Sequence, residues 1–163
     1  MEDTTMGRED LFVVEKLSKS FPVWAGALFR PSGYVSAVDD VSFSIKKGET
    51  LGLVGESGCG KTTLASMLLR MIEPTSGSIR FEGEELVGMP PRELKKARLA
   101  AQMIFQDPYS SLSPRLTALE VVEEPLLINR RGNREEIRKK AMGLLEMVGL
   151  TQMDADCLPG QFS

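Results

Sequence analysis

The residues best suited to chemistry stand together between Gly55 and Thr62. The run Gly55-Glu56-Ser57-Gly58-Cys59-Gly60-Lys61-Thr62 satisfies the spacing G-x-x-x-x-G-K-[ST], and each residue type in it has a physical task. Gly55, Gly58 and Gly60 admit backbone conformations and a close approach that a Cβ would block, so successive N–H groups can face phosphate oxygens. Lys61 is a compact cation for the β and γ phosphates of a nucleotide, the Thr62 hydroxyl suits Mg²⁺, and Thr63 is within reach of the α-phosphate. Cys59 reads first as a small residue whose backbone amide does the binding. Its sharper reading is a thiol whose alkylation blocks nucleotide entry. The alternative for the whole run is a glycine-rich turn that caps a helix and leaves Lys61 solvated.

The elements around this run decide between the two. Thr50 to Val54 is a compact apolar segment that reads as a strand, and Leu64, Ala65, Leu68, Leu69 and Ile72 mark one face of a helix after it. Strand, glycine loop and helix in that order are the context a phosphate cradle needs, with the helix N-terminus adding its positive dipole end. Leu11 to Leu17 reads as an earlier strand, Phe21 to Gly33 as a loop rich in Pro, Gly and aromatic residues, and Val38 to Ile45 as a half-buried strand. Together these suggest an N-terminal antiparallel β layer. Beyond the cradle, Ser78 to Phe81 restarts a strand, Pro90 and Pro91 open a charged helix through about Arg98, and Gln102 to Phe105 is an apolar strand ending at Gln106. Leu116 to Glu123 is helical, as is the stretch through Ile137, Ala141, Leu144, Leu145 and Val148, stopped by Gly149. The order predicts an α/β core over residues 1–114 followed by a partial helical subdomain over 115–163.

Composition narrows the chemistry further. The chain has 163 residues, 42% hydrophobic and 26% charged, within the ordinary globular range. Its 20 basic and 23 acidic side chains give a net charge of −3, which argues against a nucleic-acid-coating surface and points to no nucleic-acid partner. With no histidine at all, imidazole metal sites and Ser-His-Asp triads are excluded within this sequence. Cys59 and Cys157 form no CxxC unit and fit a reduced compartment better than a disulfide scaffold. The polar N-terminus lacks the order of a secretory signal, and no window approaches the length of a membrane span, so any link to a membrane is expected to run through a partner.

A phosphate loop alone leaves kinases, GTPases and ATPases open; its surroundings are more specific. Gly48-Glu49-Thr50-Leu51-Gly52-Leu53-Val54 leading into the loop, Ile72-Glu73-Pro74-Thr75-Ser76-Gly77-Ser78-Ile79, and Met103-Ile104-Phe105-Gln106-Asp107-Pro108-Tyr109-Ser110-Ser111-Leu112-Ser113-Pro114-Arg115 resemble the P-loop, the following turn and the Q-loop of ATP-binding cassette (ABC) transporter ATPases. The last of these is similar to the branch that serves dipeptide and oligopeptide importers. The resemblance covers nearly the whole sequence, from about Leu11 to Ser163, and implies a P-loop NTPase core that binds ATP with Mg²⁺. It implies a second ATPase subunit, identical or not, transmembrane permease subunits, an indirectly coupled substrate-binding protein, and a place at the cytoplasmic face of the membrane. By the same resemblance Gln106 contacts Mg²⁺ or the attacking water and joins the core to the helical subdomain, a role an amide suits because it both accepts and donates.

The family also stacks an aromatic ring on adenine from the loop after its first strand. Phe21 matches that position best; Tyr34 or Phe29 could fold back there instead. Asp39 and Asp40 match a turn of the family rather than a catalytic pair. Pro159-Gly160-Gln161-Phe162-Ser163 resembles the approach to the family's signature motif at its first serine, and the later strand with the catalytic carboxylate and the switch histidine have no counterpart. The sequence therefore reads as the N-terminal part of such an ATPase, inactive in hydrolysis by itself. Competing readings are a nucleotide-binding or interaction module without turnover, an importer ATPase for nickel or another small solute, and an ABC ATPase of repair or translation type.

Overall fold

The computed structural model describes residues 9–24, 31–107 and 111–162. Phe29, Pro108, Tyr109, Ser110 and Ser163, named above, lie outside the described residues. The chain divides into two compact units, Met1–Met103 and Ile104–Ser163, a division that falls before the 114/115 boundary expected from sequence.

The first unit is built on an antiparallel sheet. Strands β1 (Asp10–Trp24), β2 (Pro31–Lys46), β3 (Ser76–Phe81) and β4 (Glu84–Glu85) lie in the order β2-β1-β3-β4. Along β1, Phe12 and Val14 point inward, as period-two alternation requires. Lys16 then takes a left-handed backbone (φ 48) at an irregularity in the β1–β2 register, and the inward set resumes at Leu17. The helix α1 (Lys61–Leu68) lays Leu64 and Met67 on this face, against Phe12, Val14, Leu17, Val38, Ile79, Phe81 and Leu86. Each such side chain contributes about 1.5–3 kcal/mol when fully buried, so the unit holds α1 firmly against the sheet.

The far end of α1 is closed by arginines. From α2 (Pro91–Ala100), Arg98 donates to the carbonyls of Leu69 (2.9 Å) and Arg70 (2.5 Å). Arg70 in turn donates to the carbonyls of Leu86 (2.5 Å) and Met89 (2.9 Å). The Arg98 bonds take up carbonyls at and just past the end of α1, where the helix leaves them without partners, and the Arg70 bonds tie that end to the turn before α2.

The second unit is helical: α3 (Ala118–Ile128), α4 (Arg134–Met147), α5 (Gln152–Ala155) and a 3-10 turn at Pro159–Gln161. Its starts are encoded locally. Thr117 accepts from the Glu120 N–H while Glu120 accepts from the Thr117 N–H, and Asn133 and Glu136 do the same for α4. Leu119, Ala141, Leu145 and Ala155 form the core.

Several sequence expectations are corrected. The described ends of the loop expected from Phe21 to Gly33, residues 21–24 and 31–33, are strand, because β1 and β2 continue as a paired ribbon with Pro22 opposite Tyr34 and Trp24 opposite Pro31. The α1 helix stops at Leu68, so Leu69 and Ile72 sit in the turn after it. The α3 helix runs past Pro125 to Ile128, since one lost N–H there is tolerated once the rest of the helix is capped and packed. The largest departure concerns Thr50 to Val54 and Gln102 to Phe105, both expected as strands. Neither is a strand, and Leu51, Leu53, Val54, Ile104 and Phe105 are exposed. A strand exists through its ladder partners, and among the described residues neither segment has one.

Candidate functional site

The glycine loop follows the non-strand stretch 50–54 and opens α1, with Gly60 as the residue before the first helical turn. Its backbone is left-handed at Gly58 (φ 83) and at Gly60 (φ 93), where side chains are disfavoured. A Cβ on Gly60 would stand 2.1 Å from the carbonyl oxygen of Ala37, so the loop is wedged against β2 at a distance only glycine permits. A Cβ on Gly55 would meet Cys59 Sγ at 2.6 Å. Sequence reasoning anticipated the glycines and missed Ala37, because a backbone carbonyl carries no residue-type signal.

Lys61 folds back over the loop. Its ammonium donates to the carbonyls of Gly55 (2.7 Å) and Glu56 (2.6 Å) and stands 3.5 Å from Cys59 Sγ. The side chain is thereby held at the mouth of the loop, with a charge that a phosphate can share. Thr62 is exposed and Thr63 half-buried at the start of α1. The cysteine is a free, exposed thiol. Gly55, Glu56, Ser57, Gly58, Cys59, Gly60, Lys61, Thr62 and Thr63 thus form one continuous feature, an exposed glycine turn feeding a helix N-terminus.

The donor set fits a nucleotide-bound Mg²⁺. Such an ion keeps several waters and takes its other oxygens from phosphates, needing little more than one hydroxyl from the protein. Thr62 offers that hydroxyl. Among the described residues no cluster of acidic or sulfur side chains forms a metal cage, and this type of site does not call for one.

The two aromatic candidates lie on neighbouring rungs of the β1–β2 ribbon. Phe21 pairs with Val35 and Tyr34 with Pro22, so the pleat turns Phe21 and Tyr34 to opposite sides of the ribbon. Only one of them can meet a given base. Phe21 is 38% exposed with Lys19 Nζ over its ring, and Tyr34 is 69% exposed. Asp39 and Asp40 lie within β2 rather than in the turn expected from the resemblance; Asp40 takes a left-handed backbone (φ 48) and its N–H donates to Ser18 Oγ at 2.9 Å. Gln106 is exposed and belongs to the second unit, after the extended stretch from Gln102.

Comparison with known proteins agrees with this geometry. The family model described as ABC transporter matches residues 38–163. A probable peptide ABC transporter ATP-binding protein of Sinorhizobium fredii is 45% identical over 94% of this chain and 43% of its own length. The oligopeptide transport ATP-binding protein AppF of Bacillus subtilis is 41% identical over 98% of this chain and 49% of its own. The dipeptide transport ATP-binding protein DppF of Escherichia coli is 42% identical over 90% of this chain and 44% of its own. The chain therefore spans about half the length of these curated relatives. Among solved structures, a dimeric ATP-binding cassette in a post-hydrolysis state bound to ADP and Pi superposes with a TM-score of 0.75 at 30% identity, over 93% of this chain and 63% of that one. With a P-loop wedged on a β layer, a family match over most of its length and the fold of ABC ATPase cassettes, this chain belongs to the ABC transporter family.

Proposed function

We propose that the protein is the ATP-binding subunit of an ABC importer that couples MgATP binding and hydrolysis to peptide uptake. The observation that carries this reading is the loop itself, in which Gly60 is locked against Ala37 and the Lys61 ammonium is gathered over the loop's carbonyls. The relatives' names supply the solute class, since each of those named above is a peptide, oligopeptide or dipeptide transport protein.

In this reading the backbone N–H groups from Gly58 to Thr62 cradle the phosphates, Lys61 neutralises the β and γ oxygens, and Thr63 reaches the α-phosphate. When bound, Mg²⁺ would supply positive charge to the phosphates, and the Thr62 hydroxyl would be the protein group that holds it. Phe21 stacks on the base. Gln106 is the Q-loop glutamine of this reading, with an amide that can both accept from and donate to water or a phosphate oxygen. In the whole protein, a second ATPase subunit completes the site and permease subunits receive the motion at the cytoplasmic face of the membrane, with a substrate-binding protein feeding the permease. No helix among the described residues is long and apolar enough to cross a membrane, in keeping with attachment through partners.

Calorimetry of MgATP binding to the full chain and to Lys61→Ala tests the site. At least a tenfold loss of affinity is expected, and an unchanged dissociation constant would sink the assignment. The solute class is tested by uptake of labelled oligopeptide into vesicles that hold the permease. Uptake of nickel without peptide would replace the peptide reading.

A further inference from the structure

The phosphate cradle leaves one set of contacts unexplained, a strap between the turn after α1 and the strand that carries Phe21. Lys19 Nζ donates to the Glu73 carbonyl at 2.5 Å and stands 5.1 Å from the centroid of the Phe21 ring. Beside it, the Ser20 N–H donates to Thr75 Oγ1 at 3.0 Å, and the Thr75 N–H donates to the Ser18 carbonyl at 2.9 Å. Glu73 and Thr75 lie between α1 and β3. The helix whose N-terminus forms the cradle is thus tied, beyond its other end, to the strand bearing the aromatic ring.

The Lys19 ammonium is tethered by its bond to the Glu73 carbonyl, so it is not a loose surface charge. It has one anchor, a backbone carbonyl, and its next neighbour is one π-face of Phe21, within the ~6 Å at which a cation and a ring attract. An exposed phenylalanine on a two-stranded ribbon would otherwise sample several rotamers, and freezing it on ligand binding costs affinity. A cation held over one face selects the ring orientation in advance and leaves the opposite face for a flat partner.

We propose that Lys19 is a positioning residue for the nucleotide base: anchored to Glu73, it pins Phe21 so that the ring's other face meets the adenine. This rests on the reading that Phe21 is the base-stacking residue. The strap then fixes two things together, the phosphate end of the nucleotide through α1 and the base end through Phe21.

The test measures binding of MgATP and of magnesium tripolyphosphate, which has no base, to the full chain and to Lys19→Met, Lys19→Arg, Phe21→Leu and the Lys19→Met/Phe21→Leu double variant. Lys19→Met is expected to weaken MgATP by about three- to tenfold while changing tripolyphosphate less than twofold. Lys19→Arg should restore most of the loss, and the double variant should be no weaker than Phe21→Leu alone, because both changes remove the same stacking. Equal losses for both ligands, or losses that multiply in the double variant, would show that Lys19 acts elsewhere. If Phe21→Leu weakens MgATP and Lys19→Met does not, the positioning role fails and base stacking stands. If Phe21→Leu leaves MgATP unchanged, the stacking reading itself falls, and Lys19 with it.

Discussion

Gly60 and Gly58 look equivalent in sequence and differ in what surrounds them. Both are left-handed, but a Cβ at Gly58 would meet nothing within 4 Å, whereas one at Gly60 would collide with Ala37 O. Gly58→Ala should therefore cost roughly 1 kcal/mol of backbone strain, and Gly60→Ala roughly 3 kcal/mol or more, among the largest effects of single substitutions. Urea denaturation of the two variants checks the ordering; equal midpoints would mean that the wedge against β2 does not constrain the loop. Cys59 permits a second test at this scale. Its exposed thiol lies in the loop beside Lys61, so alkylation is expected to abolish MgATP binding, and saturating MgATP should slow labelling at least several-fold. The phosphate site was legible in the sequence because its task dictates residue types at fixed spacing. The base site was less legible, since any exposed aromatic on the ribbon satisfied the requirement, and only the pairing register turned Phe21 and Tyr34 to opposite sides.

At the scale of elements, apolar periodicity located the two long helices of the second unit, whereas their caps and the strand pairings emerged only from the structure. The starts of α3 and α4 carry reciprocal caps in four consecutive residues, Thr117 to Glu120 and Asn133 to Glu136. Thr117→Ala and Asn133→Ala should each cost about 1 kcal/mol, seen as a lower thermal midpoint of the helical unit. The β1–β2 ribbon was hidden by Pro22, Pro31 and Gly33, which signal turns when taken singly but sit here within paired strands. Glu85 in β4 offers a test against pH. Burial alone pushes its carboxyl up, but bonds from the Ser78 hydroxyl and the Val87 and Ile79 N–H groups, with Arg80 nearby, outweigh this and hold it below the usual glutamate range. A lowered folded value means that its stabilisation is present above the unfolded pKa of about 4.3 and fades as pH falls through the folded value. Glu85→Gln should then destabilise at neutral pH, with the gap to the parent closing in acid. A gap that stays constant down to pH ~2 would remove Glu85 from the acid response.

For the molecule as a whole, Thr50 to Val54 and Gln102 to Phe105 show where sequence patterning runs out. Short apolar runs such as Leu51-Gly52-Leu53-Val54 specify that a segment suits a strand, yet the ladder that makes it one is a property of its partners. With Val54 at 94% and Ile104 at 97% exposure, these segments present apolar side chains and unpaired backbone together, the combination that recruits other chains. The 163-residue chain is expected to bind a hydrophobic dye and to self-associate as concentration rises; sedimentation as a monomer with no dye signal would contradict this. In the full transporter, Leu112 in the second unit should matter for coupling rather than for nucleotide affinity. Leu112→Asp is expected to lower peptide transported per ATP hydrolysed by several-fold while leaving the MgATP dissociation constant within twofold. Normal coupling in that variant would place the permease contact elsewhere.

The β1–β2 ribbon also has a mechanical and an optical consequence. β3 pairs with β1 only as far as Ser18, so beyond the strap at Ser20 the described part of the ribbon is a two-strand beam held at its root. Phe21 sits next to the clamp, where bending is least. Trp24, 62% exposed, sits at the far end of the paired segment and is the single tryptophan of the sequence. The protein thus carries its own fluorophore at the last described rung of the ribbon, and the nanosecond decay of its anisotropy is expected to slow if that rung is stiffened, with no label attached.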